Sequence, residues 1–188
     1  MKCIKCNSQA EILNIQACSR CFVKIIEKRV RKEIRFNKLI SKNDTILIID
    51  DNSAEAQVNM YVINHIVKGL PLNIIIKKSR FKLGQKFSGA NKVVVPWNTD
   101  KEDEYFLTGI LNNTNLLYLG HYKLNETQYI KLLLRISASE VKTFAEINRM
   151  SYKGNNTKSI ISEMIDKLER EYPETKFSLL KSTLHFYK

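Results

Sequence analysis

The first regular pattern in the chain is an apolar stripe that directly follows its last cysteine. Four apolar side chains recur at every fourth position: Phe22, Ile26, Val30 and Ile34. This spacing places them on one face of an α-helix, while charged residues fill the positions between them. The pattern predicts an amphipathic helix over residues 22–39.

Further along the chain, short runs of apolar and β-branched residues predict buried β-strands. These runs are Thr45–Asp50, Leu72–Lys77 and Asn115–Gly120. Stretches that we predict to be helical lie between and after them: Ser53–Lys68 with Ser53 as its N-cap, Asp100–Asn112, Glu126–Ser137 and Lys158–Tyr172. We expect residues 79–99 to form a loop with an edge strand at Val93–Val95.

Strands that alternate with helices indicate an α/β fold with a mostly parallel sheet. The polar link at residues 41–44 separates this region from the cysteine-rich start of the chain. We therefore expect two units. Residues 1–42 would form a metal module with a basic helix, and residues 43–188 would form the α/β domain.

The positive charge of the chain is concentrated near its beginning. Among 188 residues, 31 Lys and Arg oppose 19 Asp and Glu, which gives a formal net charge of +12. Residues 1–42 alone hold 11 of the basic and 3 of the acidic side chains. A polyanion partner, above all nucleic acid, fits such an asymmetry. The apolar content argues against disorder, and no apolar run suits a membrane span, so we expect a soluble, cytoplasmic protein that does not bind membranes.

All four cysteines lie within the first 21 residues, as two C-x-x-C pairs: Cys3 with Cys6, and Cys18 with Cys21. Each pair can present two thiolates to one metal ion, and two pairs complete a tetrahedron. We predict a closed structural Zn²⁺ site that stabilises the fold. An iron–sulfur cluster, a redox pair or two disulfides are the alternatives at this spacing.

The predicted helix after the cysteines carries many cations and few carboxylates. Its candidate RNA-binding residues are Lys24, Lys28, Arg29, Arg31, Lys32, Arg35 and Lys38. Cations that cluster on one helix suit a row of phosphates. The alternative is a solvated helix that caps the metal module.

The turn after the first predicted strand is where an open α/β sheet places its functional crevice. Here it reads Asp50, Asp51, Asn52 and Ser53, without a glycine and with two carboxylates where a pyrophosphate would bind. We interpret it as a degenerate nucleotide loop and expect no ATP on this chain. His121 follows the third predicted strand, and no thiol or serine constellation accompanies it.

The order of these features resembles the PP-loop tRNA thiolation proteins, which make 2-thiouridine at the wobble position. The four cysteines followed by Phe22 match the C-x-x-C…C-x-x-C-F module of that family. Of its S-G-G-x-D-S loop only Ser53 remains, and of its T-G-H-N-x-D-D motif only Gly120 and His121. Tyr172, Pro173 and Thr175 match the family's terminal segment.

Because the loop glycines and the cysteines of the active α/β domain are missing, the chain is most similar to the degenerate branch, the cytoplasmic tRNA 2-thiolation protein 2 family. The resemblance implies a degenerate PP-loop domain of the Rossmann-like adenine nucleotide α-hydrolase type. It implies a non-catalytic subunit that binds tRNA and forms a heterodimer with an active PP-loop thiolase. It also implies wobble-uridine 2-thiolation in tRNA Lys, Glu and Gln, with sulfur delivered by a ubiquitin-like carrier.

Two other functions stay open at this point. An independent zinc-ribbon protein that binds nucleic acid, as a regulator or ribosome-associated factor, would share the basic helix. A stand-alone ATP-using enzyme with a divergent loop would need Asp50 and Asp51 as magnesium ligands.

Overall fold

The computed structural model of the chain describes residues 1–154 and 159–186. The cysteine-rich start forms two tight turns closed by antiparallel bridges, Lys2 with Gln9 and Ile12 with Ala17. Helix α1 (Ser19–Phe36) follows directly and confirms the predicted amphipathic helix. The Glu11 carboxylate accepts a hydrogen bond from the Ser19 N–H at 3.1 Å, and a carboxylate suits the positive end of a helix.

Five strands form one sheet: β1 (Thr45–Asp50), β2 (Asn73–Lys78), β3 (Lys92–Val94), β4 (Tyr122–Leu124) and β5 (Thr127–Ile130). Their order across the sheet is β2-β1-β3-β5-β4. All neighbours are parallel except β4 and β5, which form an antiparallel hairpin. The predicted strands at 45–50 and 72–77 are confirmed, as is the mostly parallel α/β sheet.

The other helices are α2 (Ala54–Tyr61), α3 (Thr99–Leu111), α4 (Ala138–Ile147), α5 (Ile160–Glu171) and α6 (Thr175–Phe186). A π-helical turn, Val62–Ile66, continues α2. The Ser53 hydroxyl accepts from the Ala56 N–H, which confirms Ser53 as N-cap. The helices predicted at 100–112 and 158–172 are confirmed, although Lys158 lies outside the described residues.

Three predictions in the middle of the chain are wrong. Residues 115–120 form turns instead of a strand, so His121 precedes a strand and does not follow one. Residues 126–137 contain β5 and a turn instead of a helix, because Tyr129 and Ile130 pack on opposite faces of the sheet. The strand near Val93 lies between β1 and β5, so it is central and not at an edge.

Two apolar cores cover the faces of the sheet. The first joins α1, α2 and α4 to one face and includes Phe22, Ile26, Ile46 and Ile48. Apolar contacts thus connect the cysteine turns to the sheet. The division of the chain into residues 1–42 and 43–188 stays a prediction. The second core is aromatic and packs residues of the 79–91 loop on the other face. Among the described helices, none is both long enough and apolar enough to cross a membrane.

Candidate functional site

The four cysteines meet at one point at the start of the chain. Their Sγ atoms all lie within 4.8 Å of one another, and those of Cys6 and Cys18 are 3.6 Å apart. Four thiolates that each hold a metal ion at about 2.3 Å have S···S separations of about 3.8 Å in a tetrahedron. The donor set and its spacing therefore fit a single tetrahedral metal ion.

Hydrogen bonds and burial shift the pKa values of three of the four thiols in different directions. The hydrogen bonds of Ser8 lower the pKa of Cys6 to about 6. The backbone N–H groups of Cys18 and Lys5 lower the pKa of Cys3, while the hydrogen bond to Cys6 and burial raise that of Cys21 to about 12. One metal ion would replace this unequal sharing of protons by four equivalent thiolate bonds, with release of the remaining protons.

The exposed face of α1 is a row of cations that we call the cationic ridge, made of Lys24, Lys28, Arg31, Lys32 and Arg35. Intervals of three and four residues place all five on one side of the helix. Lys38, also exposed, follows the helix in a left-handed conformation (φ 49°). From Lys24 to Arg35 the ridge offers a row of positive charges roughly 17 Å long.

The two glutamates of α1 affect the ridge differently, because Glu27 pairs with the ridge residue Arg31 and Glu33 lies away from the ridge. Glu27 accepts hydrogen bonds from Tyr61 at 2.9 Å and from Arg31 at 3.1 Å. Glu33 is buried on the opposite face, where His121 (Nε2, 3.0 Å) and Arg135 (Nε, 2.8 Å) reach it. Burial by itself raises the pKa of Glu33, but His121 and Arg135 outweigh it and hold that pKa below its ordinary value.

Arg29 differs from the other candidate RNA-binding residues. Its Nη1 lies 2.6 Å from a carboxylate oxygen of the buried Glu140 on α4, and its guanidinium stacks over the Phe177 ring at 5.8 Å. These contacts fasten α1 to α4 and α6. They leave the guanidinium of Arg29 less available to a phosphate than the ammonium groups of Lys24, Lys28 and Lys32.

Grooves with apolar walls flank the ridge. One has a volume of about 520 Å³ and is bordered by Arg31, Arg35 and Lys38 together with Ile66, Val67, Lys68 and Leu70. Another, of about 360 Å³, lies between the ridge and the cysteine turns. The cationic ridge therefore lies between two grooves with apolar walls.

Three hydrogen-bond donors of the loop after β1 bind the carboxylates of the loop itself. Asp50 Oδ1 accepts from the Asn52 N–H at 2.9 Å, and Asp51 Oδ1 accepts from the N–H and hydroxyl of Ser53 at 3.1 and 2.5 Å. These backbone N–H groups stand where a phosphate-binding loop would offer its donors. The carboxylates occupy them, so a nucleotide would meet negative charge in place of free N–H groups.

Gly120 and His121 also take part in internal contacts. The Gly120 N–H donates to the buried Glu102, and His121 Nδ1 accepts from the Lys131 N–H at 3.2 Å while Nε2 donates to Glu33. Strands β3 and β5 separate this segment from the β1 loop, a lateral distance of about 14 Å. The two parts of the predicted degenerate site lie at the same edge of the sheet but do not meet.

A buried ion pair that the sequence did not reveal lies at the end of β5. Lys131 and Glu102 are fully buried and 2.5 Å apart, and Trp97 Nε1 donates to the same carboxylate oxygen at 2.7 Å. Burial lowers the pKa of Lys131, and Glu102 offsets part of that shift. If the sequence had been interpreted as a strand over residues 127–130, Lys131 would have been placed at the carboxyl end of that strand. Functional residues of open α/β sheets lie at this position, so Lys131 would have become a candidate.

The chain aligns with the U34-tRNA thiolase NcsA from Methanococcus maripaludis, a structure that holds a [4Fe-4S] cluster, with a TM-score of 0.78. The fold is similar to that of a tRNA thiolase. Sequence identity is 16%, and the alignment covers 99% of this chain and 87% of the other. The sequence matches no protein-family model and no curated protein.

This thiolase fold confirms the expected PP-loop-like α/β domain behind a four-cysteine cluster able to hold a metal. The sequence predicted the cluster because its ligands are close along the chain. It missed Glu33, Glu102, Arg135 and Lys131 as partners, since each of these contacts joins residues 29 to 102 positions apart.

Proposed function

We propose that this chain is a non-catalytic subunit of a tRNA 2-thiolation complex in the cytoplasm. It binds tRNA through the cationic ridge and forms a heterodimer with an active PP-loop thiolase that modifies the wobble uridine. Sulfur reaches that partner from a ubiquitin-like carrier. The observation that carries the proposal is the β1 loop, whose Asn52 and Ser53 donors bind Asp50 and Asp51 within a fold similar to that of a thiolase.

The chemistry of that loop supports the proposal that this chain has no ATP site. A phosphate would have to displace both carboxylates from the Asn52 and Ser53 N–H groups and then lie beside them. Glu55, in the first turn of α2, is paired with Lys101 at 3.0 Å and is therefore not a third free carboxylate. All four cysteines of the sequence lie in the metal cluster, so no thiol remains in the α/β domain to carry sulfur.

ATP titration of the purified protein tests this part of the proposal. In calorimetry with Mg²⁺ present, we expect no heat of ATP binding. Saturable ATP binding that is lost in Asp51→Ala would instead support the stand-alone enzyme, because it would give the carboxylate a role as magnesium ligand.

For the cysteine cluster we propose structural Zn²⁺ held by Cys3, Cys6, Cys18 and Cys21. Elemental analysis of protein purified without oxygen should give one zinc per chain, with no visible absorption from an iron–sulfur cluster. Removal of the metal with a chelator should lower Tm, because binding free energy at a structural site is also folding free energy. Stoichiometric iron and sulfide would contradict the assignment to zinc.

Binding of tRNA to the ridge rests on charge and shape. Five cations project from one face of α1, and both glutamates of the helix are engaged in contacts within the protein. Each phosphate contact releases counterions, so the affinity should fall steeply with salt concentration.

The test compares two variants with the same change of charge. The ridge variant replaces Lys28, Arg31, Lys32 and Arg35 by Gln. The control variant replaces four exposed lysines elsewhere: Lys123, Lys142, Lys167 and Lys181. We expect the ridge variant to lose about 3 units of the slope of log K against log salt, at about 0.7–0.9 per contact, while the control keeps most of the slope. Equal losses would show that net charge, and not the ridge, holds the tRNA.

The ridge also suits an independent protein that binds nucleic acid, so the partner must be tested directly. Affinity purification of the tagged chain from its native cells should recover a PP-loop thiolase together with tRNA Lys, Glu and Gln. Recovery of other RNA or DNA without a thiolase would favour the independent nucleic-acid-binding protein.

A further inference from the structure

Strand β2 is an edge of the sheet, and its side chains are open to solvent on both faces. Three consecutive isoleucines, Ile74, Ile75 and Ile76, are 44%, 41% and 55% exposed. The residues paired with them on β1 are at most 3% exposed. Burial therefore ends abruptly between β1 and β2. Soluble proteins seldom leave such a contiguous apolar strand uncovered, and it marks an interaction surface.

The connection that follows β2 does not cover it. Residues 79–91 contain no helix or strand, and their aromatic side chains Phe81 and Phe87 pack into the second core with Trp97 and Tyr129. In most parallel sheets the crossover after a strand is a helix that lies over it. Here the crossover contacts the end of β2, where Lys77 Nζ lies over the Phe87 ring at 5.1 Å, but it leaves the three isoleucines exposed.

The backbone of β2 is free along its outer side as well. The Asn73 N–H donates to Asp44 and the Ser79 N–H donates to Asp50, so these odd-numbered positions face β1. Backbone groups alternate in direction along a strand, so those of Ile74, Ile76 and Lys78 face away from the sheet. They can accept one more strand without disturbing the pairing of β2 with β1.

The charge around this edge selects the partner. From Ala56 to Thr99 the sequence has no Asp or Glu and seven Lys or Arg. Lys77 and Lys78 lie in the strand itself and are exposed, as are Arg80 and Lys82 just after it. A second copy would bring two such basic edges together, and their repulsion opposes self-pairing. RNA would suit the lysines but would leave three isoleucines in contact with water.

We propose that the free edge of β2 binds an extended acidic segment of a partner protein, which adds a strand to the sheet. The backbone groups of Ile74, Ile76 and Lys78 pair with it, the isoleucines contact its apolar side chains, and the lysines attract its carboxylates. This partner surface is separate from the cationic ridge. The identity of the partner, an active thiolase subunit, rests on the proposed function.

The probe is a fluorescein-labelled peptide of roughly ten residues that alternates Val with Glu, and the control probe alternates Val with Lys. Each is titrated into the full-length protein and followed by fluorescence anisotropy. Two variants are compared: Ile76→Lys on β2, and Ile110→Lys on α3, where the isoleucine is 50% exposed against 55% for Ile76. Both positions are at the surface, so neither lysine has to enter a core.

We expect the Val–Glu peptide to bind, Ile76→Lys to weaken it by about tenfold or more, and Ile110→Lys to change it by less than about twofold. Hydrogen exchange should slow at the amides of Ile74, Ile76 and Lys78 when the peptide is bound. The amides of Ile75 and Lys77 face β1 and should exchange at the same rates with and without it.

Failure to protect the three outward amides, or equal binding of the Val–Lys peptide, would overturn the proposal. So would protection of these amides by tRNA, or by a dimer detected in light scattering without peptide. Binding of tRNA is measured in parallel, and Ile76→Lys should leave it unchanged. A loss of peptide binding is thus distinguishable from a loss of the proposed tRNA function.

Discussion

Asp103 gives the sharpest test of the packing of the last two helices. It lies on α3, which packs against α5 and α6, and its side chain is fully buried. Among the described residues, neither of its carboxylate oxygens has a hydrogen-bond partner. Burial raises the pKa of Asp103 to about 8, and the negative charges of Asp100 and Glu102 contribute to the shift.

The sign of the effect follows from the two pKa values. The unfolded chain releases this proton near its ordinary value of 3.8, whereas the folded chain keeps it until about 8. Between these values the unfolded state holds fewer protons, so the free energy of unfolding falls as the pH rises, by up to about 1.4 kcal/mol per unit. From about pH 5 to about pH 7.5 the loss is at most about 3 kcal/mol, or about 2–4 °C in Tm for each kcal/mol.

Asp103→Asn removes the titrating group and keeps its shape. Measured by urea denaturation, the free energy of unfolding of the variant relative to that of the wild type should rise by about 2–3 kcal/mol between these pH values. The other titrating groups are the same in both proteins, so their contributions cancel when the two are subtracted. Glu163→Gln, on the exposed side of α5, controls for the loss of one negative charge. A difference between Asp103→Asn and wild type that stays constant with pH would refute the burial of this carboxyl.

Two further changes probe the internal ion pairs by urea denaturation. Lys131→Met should destabilise the fold by about 3 kcal/mol, because it leaves Glu102 buried without its cation, and adding Glu102→Gln should restore part of the loss. Purely additive effects of the two substitutions would contradict this coupling. Arg29→Ala should destabilise by about 1–2 kcal/mol through the loss of its pair with the buried Glu140, yet weaken tRNA binding less than Lys28→Ala. The reverse order of tRNA affinities would place Arg29 on the RNA surface instead.

Predictions from the sequence succeeded where the deciding interactions are local. The cysteine cluster and the N-cap at Ser53 depend on residues a few positions apart, and the apolar run of β1 remains buried on both faces. Helix α1 was predictable because one stripe supplies its buried face.

The errors arose where distant residues decide the structure. Leu132 and Leu133 suggested a helix, but they lie in a buried turn whose backbone accepts the Thr99 N–H and the Thr99 hydroxyl from another segment. Val93–Val95 is central because β1 and β5 pair with it, and a run of three valines does not encode which strands lie beside it. The partners of Glu33 lie 88 and 102 positions away, and no local pattern links them.

The distribution of free and occupied donors unites the proposals for this chain. At the carboxyl edge of the sheet, where this fold class places its chemistry, the Asn52 and Ser53 donors, the Gly120 N–H and the Lys131 ammonium bind carboxylates or carbonyls of the chain itself. The groups that remain available to other molecules lie elsewhere. They are the exposed cations along α1 and the backbone N–H and C=O groups along the outer side of β2. This distribution agrees with the proposed role of the chain as a subunit that acts by binding. One surface suits phosphates and the other suits an acidic strand, so the two proposed partners, tRNA and a thiolase subunit, would not compete for the same residues.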